Sequence, residues 1–199
     1  MSQLTRPTRA ETAALLRAQS ALDFTYPDVG AIRDTPPSGW TVDHHRARLG
    51  SGRDTLDRAR RALRGWRQFD LGWVELDPVD APIEPGQVIA VVARGMFLWW
   101  SNAARIVYVI DEPDRFEFGY GTLPHHIARG EERFRIERDP VDDSVWYDVL
   151  AFSRPHTLAA RIGYPFVRRY QHRFAEHSME AMGRAVGAGA AADPALPTV

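Results

Sequence analysis

At 199 residues the chain has the length of one domain, and 44% hydrophobic against 26% charged residues is the balance of an ordinary folded protein, not of a disordered one. Its 25 basic residues, all arginine, face 26 acidic ones; the net charge of −1 offers no broad positive field, so nucleic acid is not an expected partner. The absence of cysteine excludes disulfides, thiolate metal sites and cysteine nucleophiles, and no apolar run approaches the ~20 residues needed to span a bilayer.

Residues 1–22 read as an N-terminal helical extension without an apolar signal-peptide core, so a cytoplasmic location is expected. Thr8 with Glu11 forms a capping-box signature for a helix from Arg9 to about Leu22. The prolines and glycines from Tyr26 to Gly39 predict an irregular connection. The domain proper is expected over 23–186, and the Ala/Gly/Pro-rich residues 187–199 read as a disordered tail.

Within the domain about seven strands are predicted. Trp40–Leu49 comes first, then a helix capped by Ser51 or Asp54 with Leu56, Ala59, Leu63 and Trp66 on one face. Leu71–Leu76, Gln87–Ala93 and Ala103–Asp111 follow. The apolar cluster Met96–Trp100 sits between the last two, where it either packs a hairpin core, gates a cavity, meets a partner or touches a membrane surface. Arg115–Leu123 alternates, with Phe116, Phe118, Tyr120 and Thr122 on one side and Arg115, Glu117, Gly119 and Gly121 on the other. Glu131–Arg138 and Ser144–Phe152 complete the set.

A long helix from about His156 to Val186 closes the domain. Leu158, Ile162, Phe166, Tyr170 and Phe174 recur every four residues and predict a stripe facing the sheet, and Gly163 and Pro165 predict a kink. Strand, helix, six strands and long helix together predict an α+β helix-grip fold, in which a curved antiparallel sheet wraps the C-terminal helix around a pocket.

Several spaced motifs carry a resemblance. Thr25-Tyr-Pro-Asp-Val-Gly-Ala31, Arg105-Ile-Val-Tyr108 with Asp111-Glu112, Tyr120-Gly-Thr-Leu-Pro124, Gly130-Glu-Glu132 and Ala151-Phe-Ser-Arg-Pro155 resemble the bacterial and plant family called domain of unknown function 1990. The resemblance covers roughly Phe24 to Met182 and implies membership of the wider Bet v 1-like, or START-like, helix-grip group. It further implies a cavity for a hydrophobic molecule, or a cyclase, dehydratase or isomerase acting there on a polyketide-like or aromatic substrate. The chain departs from the Leu-Pro-Gly-His-Pro-Glu pattern: His125 replaces glycine, Ile127 proline and Ala128 glutamate, leaving His126 to match the histidine.

Strand geometry supplies the candidate chemistry. Pairing Thr122 with Glu132, Tyr120 with Phe134 and Phe118 with Ile136 places Glu132 on the apolar inner face. There a carboxylate is desolvated and either binds a ligand's polar end, transfers a proton, or ties the loop to its own strand. Glu131, beside Arg133, reads as a solvated surface charge.

Tyr26, Phe118, Phe134, Tyr147, Phe166 and Tyr170 are the expected aromatic contacts to a ligand, with Thr122, His126 and Glu132 the polar ones beside Tyr120. Were the chain an enzyme, Glu132, His126 and Tyr120 would be the reacting groups. His44 and His45 point to opposite faces of a strand and His172 and His177 are five apart, so no metal site follows. Gly119-Tyr-Gly121 lacks the third glycine of a dinucleotide loop, and no cofactor is expected. The predicted partner is a small hydrophobic molecule bound by a monomer or homodimer, with no membrane span; a filled core with a protein-docking surface is the competing possibility.

Overall fold

The alternating segments form strands in the computed structural model, which describes residues 2–95, 97–156 and 163–187. They are β1 (Ser2–Gln3), β2 (Thr41–Ser51), β3 (Val74–Asp77), β4 (Val88–Gly95), β5 (Leu98–Glu112), β6 (Arg115–Thr122), β7 (Ala128–Arg138) and β8 (Ser144–Pro155). Three helices accompany them: α1 (Arg9–Gln19), α2 (Arg53–Arg64) and α3 (Tyr164–Val186). Every pairing is antiparallel, and the order β2-β8-β7-β6-β5-β4-β3 makes one curved sheet, with β1 added beside β5. The molecule is α+β, with the concave face of the sheet turned to α3, as the sequence predicts, and also to α2.

Parity along the strands explains the core. Phe116, Phe118 and Tyr120 of β6 share the concave face with Phe134 and Ile136 of β7 and with Val145, Tyr147 and Val149 of β8. Leu56, Ala59 and Leu63 of α2 and Met179, Met182 and Val186 of α3 pack against them. Trp66, just past α2, adopts φ 57°, packs its ring 5.0 Å from Phe118 and donates its indole N–H to the Ala81 carbonyl at 2.8 Å. Its polar edge is thereby satisfied inside the core.

The N-terminal segment is built as its capping box predicts. Thr8 Oγ1 accepts from the Glu11 N–H at 3.2 Å, and the Glu11 carboxylate accepts from the Thr8 N–H at 2.7 Å. Helix α1 lies on β4 and β5, where Leu16 joins Val88, Ala103 and Leu123. Helix α2 differs from expectation: Gly52, at φ 87°, is the N-cap, and neither Ser51 nor Asp54 caps it through its side chain. A positive φ there favours the residue without a Cβ.

Helix α3 corrects two expectations. Gly163 is its N-cap and Pro165 falls in its first turn, where the missing N–H has no intrahelical partner to lose, so proline starts the helix instead of kinking it. Leu158, Ile162 and the tail from 188 lie outside the described residues. Of the predicted stripe, Tyr170 packs against Trp73 and Phe174 against Phe69 and Phe134, whereas Phe166 is 57% exposed; the buried face continues through Ala175, Met179, Met182 and Val186.

Stability is therefore expected to depend on Phe134, not on Phe166. Truncating the fully buried Phe134, which stacks on Phe69, Phe118 and Tyr120, should lower stability by about 3–5 kcal/mol. Phe166→Ala should shift it by no more than about 0.5 kcal/mol. Urea denaturation of the two variants separates these outcomes.

Candidate functional site

The core is filled beneath the C-terminal half of α3 and open beneath the N-terminal half. There a pocket of about 420 Å³ lies between the helix and the sheet. Small residues make the space: Ala93 on β4, Ala128 on β7 and Ala151 on β8 line it where larger side chains would fill it. Trp73, Val91, Trp100, Val149, Tyr170 and Phe174 supply apolar walls.

Glu132 is one of the polar groups that line this pocket. The observed register pairs Glu132 with Tyr120 and Phe134 with Phe118, two residues away from the predicted pairing. A slip of two preserves the face each side chain occupies, so Glu132 remains on the concave side. The Tyr120 hydroxyl donates to Glu132 Oε2. Burial pushes the Glu132 carboxyl up to about 7 against the opposing effect of that hydrogen bond, with the Asp43 charge adding to the rise. Burial together with the adjacent carboxylate also raises Tyr120 well above the usual phenol range, so it stays a donor.

The pocket's other titratable groups are held differently. His126 lines it with Nδ1 3.0 Å from the Ala128 N–H, and burial lowers its pKa to about 4, leaving a neutral ring. Thr122 lines it as well, while its Oγ1 accepts from the Gly130 N–H at 3.0 Å and lies 2.8 Å from Thr25 Oγ1. Thr122 thereby closes the turn between β6 and β7. Asp43 pairs with Arg168 of α3, and His45, whose pKa burial lowers, stacks edge-on 6.0 Å from His172. These contacts tie β2 to the helix along one margin of the pocket.

Glu131 corrects the sequence reading most sharply. It is 3% exposed, not a solvated surface charge, and belongs to the convex face. Its Oε1 accepts from the Tyr26 hydroxyl at 2.8 Å and the Gly30 N–H at 2.6 Å, and its Oε2 accepts from the Ile32 N–H at 3.0 Å. One carboxylate thus straps the segment around Tyr26–Ile32 across the outside of the sheet. Burial raises its pKa, offset by these three hydrogen bonds. Gly121 makes room for the strap: a Cβ there would lie 1.8 Å from the Tyr26 hydroxyl oxygen. A bulge after Ile106 turns Tyr108 into the same outer layer with Tyr26, Ile32 and Phe152.

The structure consequently divides the predicted contact residues. Tyr120, Thr122, His126, Glu132, Phe166 and Tyr170 come together around the pocket. Phe118, Phe134 and Tyr147 are sealed in the core, where the Tyr147 and Ser178 hydroxyls meet at 2.8 Å, and Tyr26 sits on the opposite face of the sheet. Sequence reasoning missed Asp43, His45, Trp73 and Asn102, which also line the pocket. Parity of β2 places Asp43 and His45 on one face; Asn102 and Trp73 carry no local signal. Among the described residues no group of three or more His, Asp or Glu side chains is placed to hold a metal, and no helix is long and apolar enough to cross a membrane.

A curved antiparallel sheet gripping a C-terminal helix over such a pocket defines a protein of the helix-grip class. Solved structures share it: a hypothetical protein of Helicobacter pylori at TM-score 0.54 and 7% identity, covering 81% of this chain and 95% of that one. Human STARD10 matches at TM-score 0.50 and 12% identity over 92% of this chain and 80% of its own. Residues 25–181 match the model of the domain of unknown function DUF1990, and the chain belongs to that family. It is 36% identical to a UPF0548 protein of Deinococcus radiodurans over 94% of this chain and 100% of the relative. It is also 35% identical to a UPF0548 protein of Arabidopsis thaliana over 75% of each chain, so the family spans bacteria and plants.

Proposed function

We propose that this protein binds one small, largely apolar molecule in the pocket under α3, with the molecule's polar end set against Glu132. The carrying observation is a carboxyl group that lines a largely apolar pocket and accepts a hydrogen bond from the Tyr120 hydroxyl through one of its two oxygens. Pockets of this size with a few convergent polar groups are the usual form of small-molecule sites. At pH above about 7 Glu132 is an acceptor only, which suits a hydroxyl-bearing ligand.

Calorimetric titration with 2-naphthol, a flat apolar molecule with one hydroxyl, tests this reading. Saturable binding at one molecule per chain is expected at pH 8, with Trp73 and Trp100 emission changing as the pocket fills. Heat that never saturates, or no response from the tryptophans, would contradict it.

One observation favours a second reading. A carboxyl group poised near 7 beside a phenol donor is suited to proton transfer at neutral pH, as an enzyme of cyclase, dehydratase or isomerase type would require. In that case Glu132 is the acid or base and Tyr120 the donor that steadies it.

A further inference from the structure

The apolar cluster at the β4–β5 hairpin is not absorbed by the pocket. Phe97, in the turn between the two strands, adopts φ 65° and is 90% exposed. Behind it Gly95 lies against α3: a Cβ on Gly95 would approach the Tyr170 ring to 2.8 Å. Phe166 stands one turn before Tyr170 on the helix, lines the pocket and is itself exposed. Phe97 follows Gly95 by two residues and Phe166 precedes Tyr170 by one turn, so both exposed phenyl groups flank the Gly95–Tyr170 contact.

Cations surround this pair. Arg94 is exposed beside Phe97 with its guanidinium 6.0 Å over Trp99, and Arg173 lies 4.5 Å over Trp73, whose ring packs 5.9 Å from Tyr170. Arg169 is exposed next to Tyr170. None of the ion pairs among the described residues engages Arg94, Arg169 or Arg173. From Tyr164 to Ala175 helix α3 carries no acidic residue; Glu176 is the first. A net charge of −1 spread over the chain thus coexists with a locally positive, aromatic margin.

We propose that this margin docks on the surface of an anionic phospholipid bilayer, with Phe97 and Phe166 entering the acyl boundary and Arg94, Arg169 and Arg173 meeting headgroup phosphates. Exposed aromatic side chains ringed by arginine fit the layered chemistry of that interface, apolar below and anionic above. A protein partner would have to supply both an apolar socket and a carboxylate cluster. Docking in this orientation opens the pocket's Phe166 side toward the lipid, a direct route for an apolar ligand. The docking itself needs no ligand and is measured without one.

Co-sedimentation of the full chain with vesicles of roughly 3:1 phosphatidylcholine to phosphatidylglycerol, against pure phosphatidylcholine, reads the proposal. Binding is expected to be about tenfold stronger to the anionic vesicles at low salt and to fall as salt screens the arginines. Phe97→Asn with Phe166→Gln should reduce partitioning about tenfold at unchanged melting temperature, because both residues are exposed and asparagine tolerates the positive φ. Arg94→Gln with Arg169→Gln should abolish the preference for anionic lipid. Wild type remaining in the supernatant at low salt, or either double variant binding like wild type, would overturn the proposal. So would a dimer, seen by analytical ultracentrifugation, that the phenylalanine variants dissolve while the wild type ignores vesicles.

Discussion

Glu132→Gln is expected to stabilise the fold at pH 8 and to empty the pocket. The folded protein holds the Glu132 proton up to about 7, whereas the unfolded chain releases it near the ordinary glutamate value. Below that ordinary value both states are protonated and the residue costs nothing. As pH rises toward 7 the unfolded chain ionises first, so wild-type stability falls, and above 7 a constant penalty remains. Glutamine never ionises and escapes the fall. The gain at pH 8 should be about 1–3 kcal/mol, the upper figure being reduced by solvent reaching the pocket, and it should vanish near pH 4. Tyr120 donates to the group, so the amide oxygen takes that bond and turns its NH₂ to the pocket, replacing an acceptor with a donor. A ligand hydroxyl then loses its partner. Melting temperatures at the two pH values, with captured ligand measured at pH 8, check both halves.

The adjacent substitution should do the reverse. Glu131→Gln places an NH₂ group among the Tyr26 hydroxyl and the Gly30 and Ile32 N–H groups, three donors that all require an acceptor. Hydrogen bonds to a charged group are lost in a buried layer, and stability should fall by about 2–4 kcal/mol. Binding by the molecules that remain folded should be unchanged, because Glu131 faces the strap on the convex side. At pH 8 the two neighbouring substitutions thus shift stability in opposite directions, and only the one at Glu132 touches binding. Chemical denaturation with parallel ligand titration distinguishes them, and a stable Glu131→Gln would refute the strap.

Much of this was legible in the residues, for reasons that also mark the limits. Alternation fixes which face a side chain occupies, so Phe118, Tyr120 and Glu132 read correctly as inward even though the pairing was two residues out. Glu131 was misread because its partners, Tyr26 to Ile32, lie about a hundred residues away in sequence, and its near neighbour Arg133 suggested a wet surface. Gly119 and Gly121 were the available signal: two glycines on one face of a strand mark a close approach by another segment. Helix α3 was read only in part. Steps of four residues drift ~40° around a helix of 3.6 residues per turn, so Tyr170 and Phe174 face the sheet while Phe166 has turned outward from the buried face. Steps of four, three and four through Ala175, Met179, Met182 and Val186 hold it.

The pocket's occupancy is best tested by native mass spectrometry of the protein purified from its own host, comparing wild type with Glu132→Gln. Wild type should carry one small molecule per chain as a discrete added mass, released on denaturation, and the variant should carry little or none while remaining folded. Bare wild-type protein, or the same added mass on both, would contradict a ligand held at Glu132.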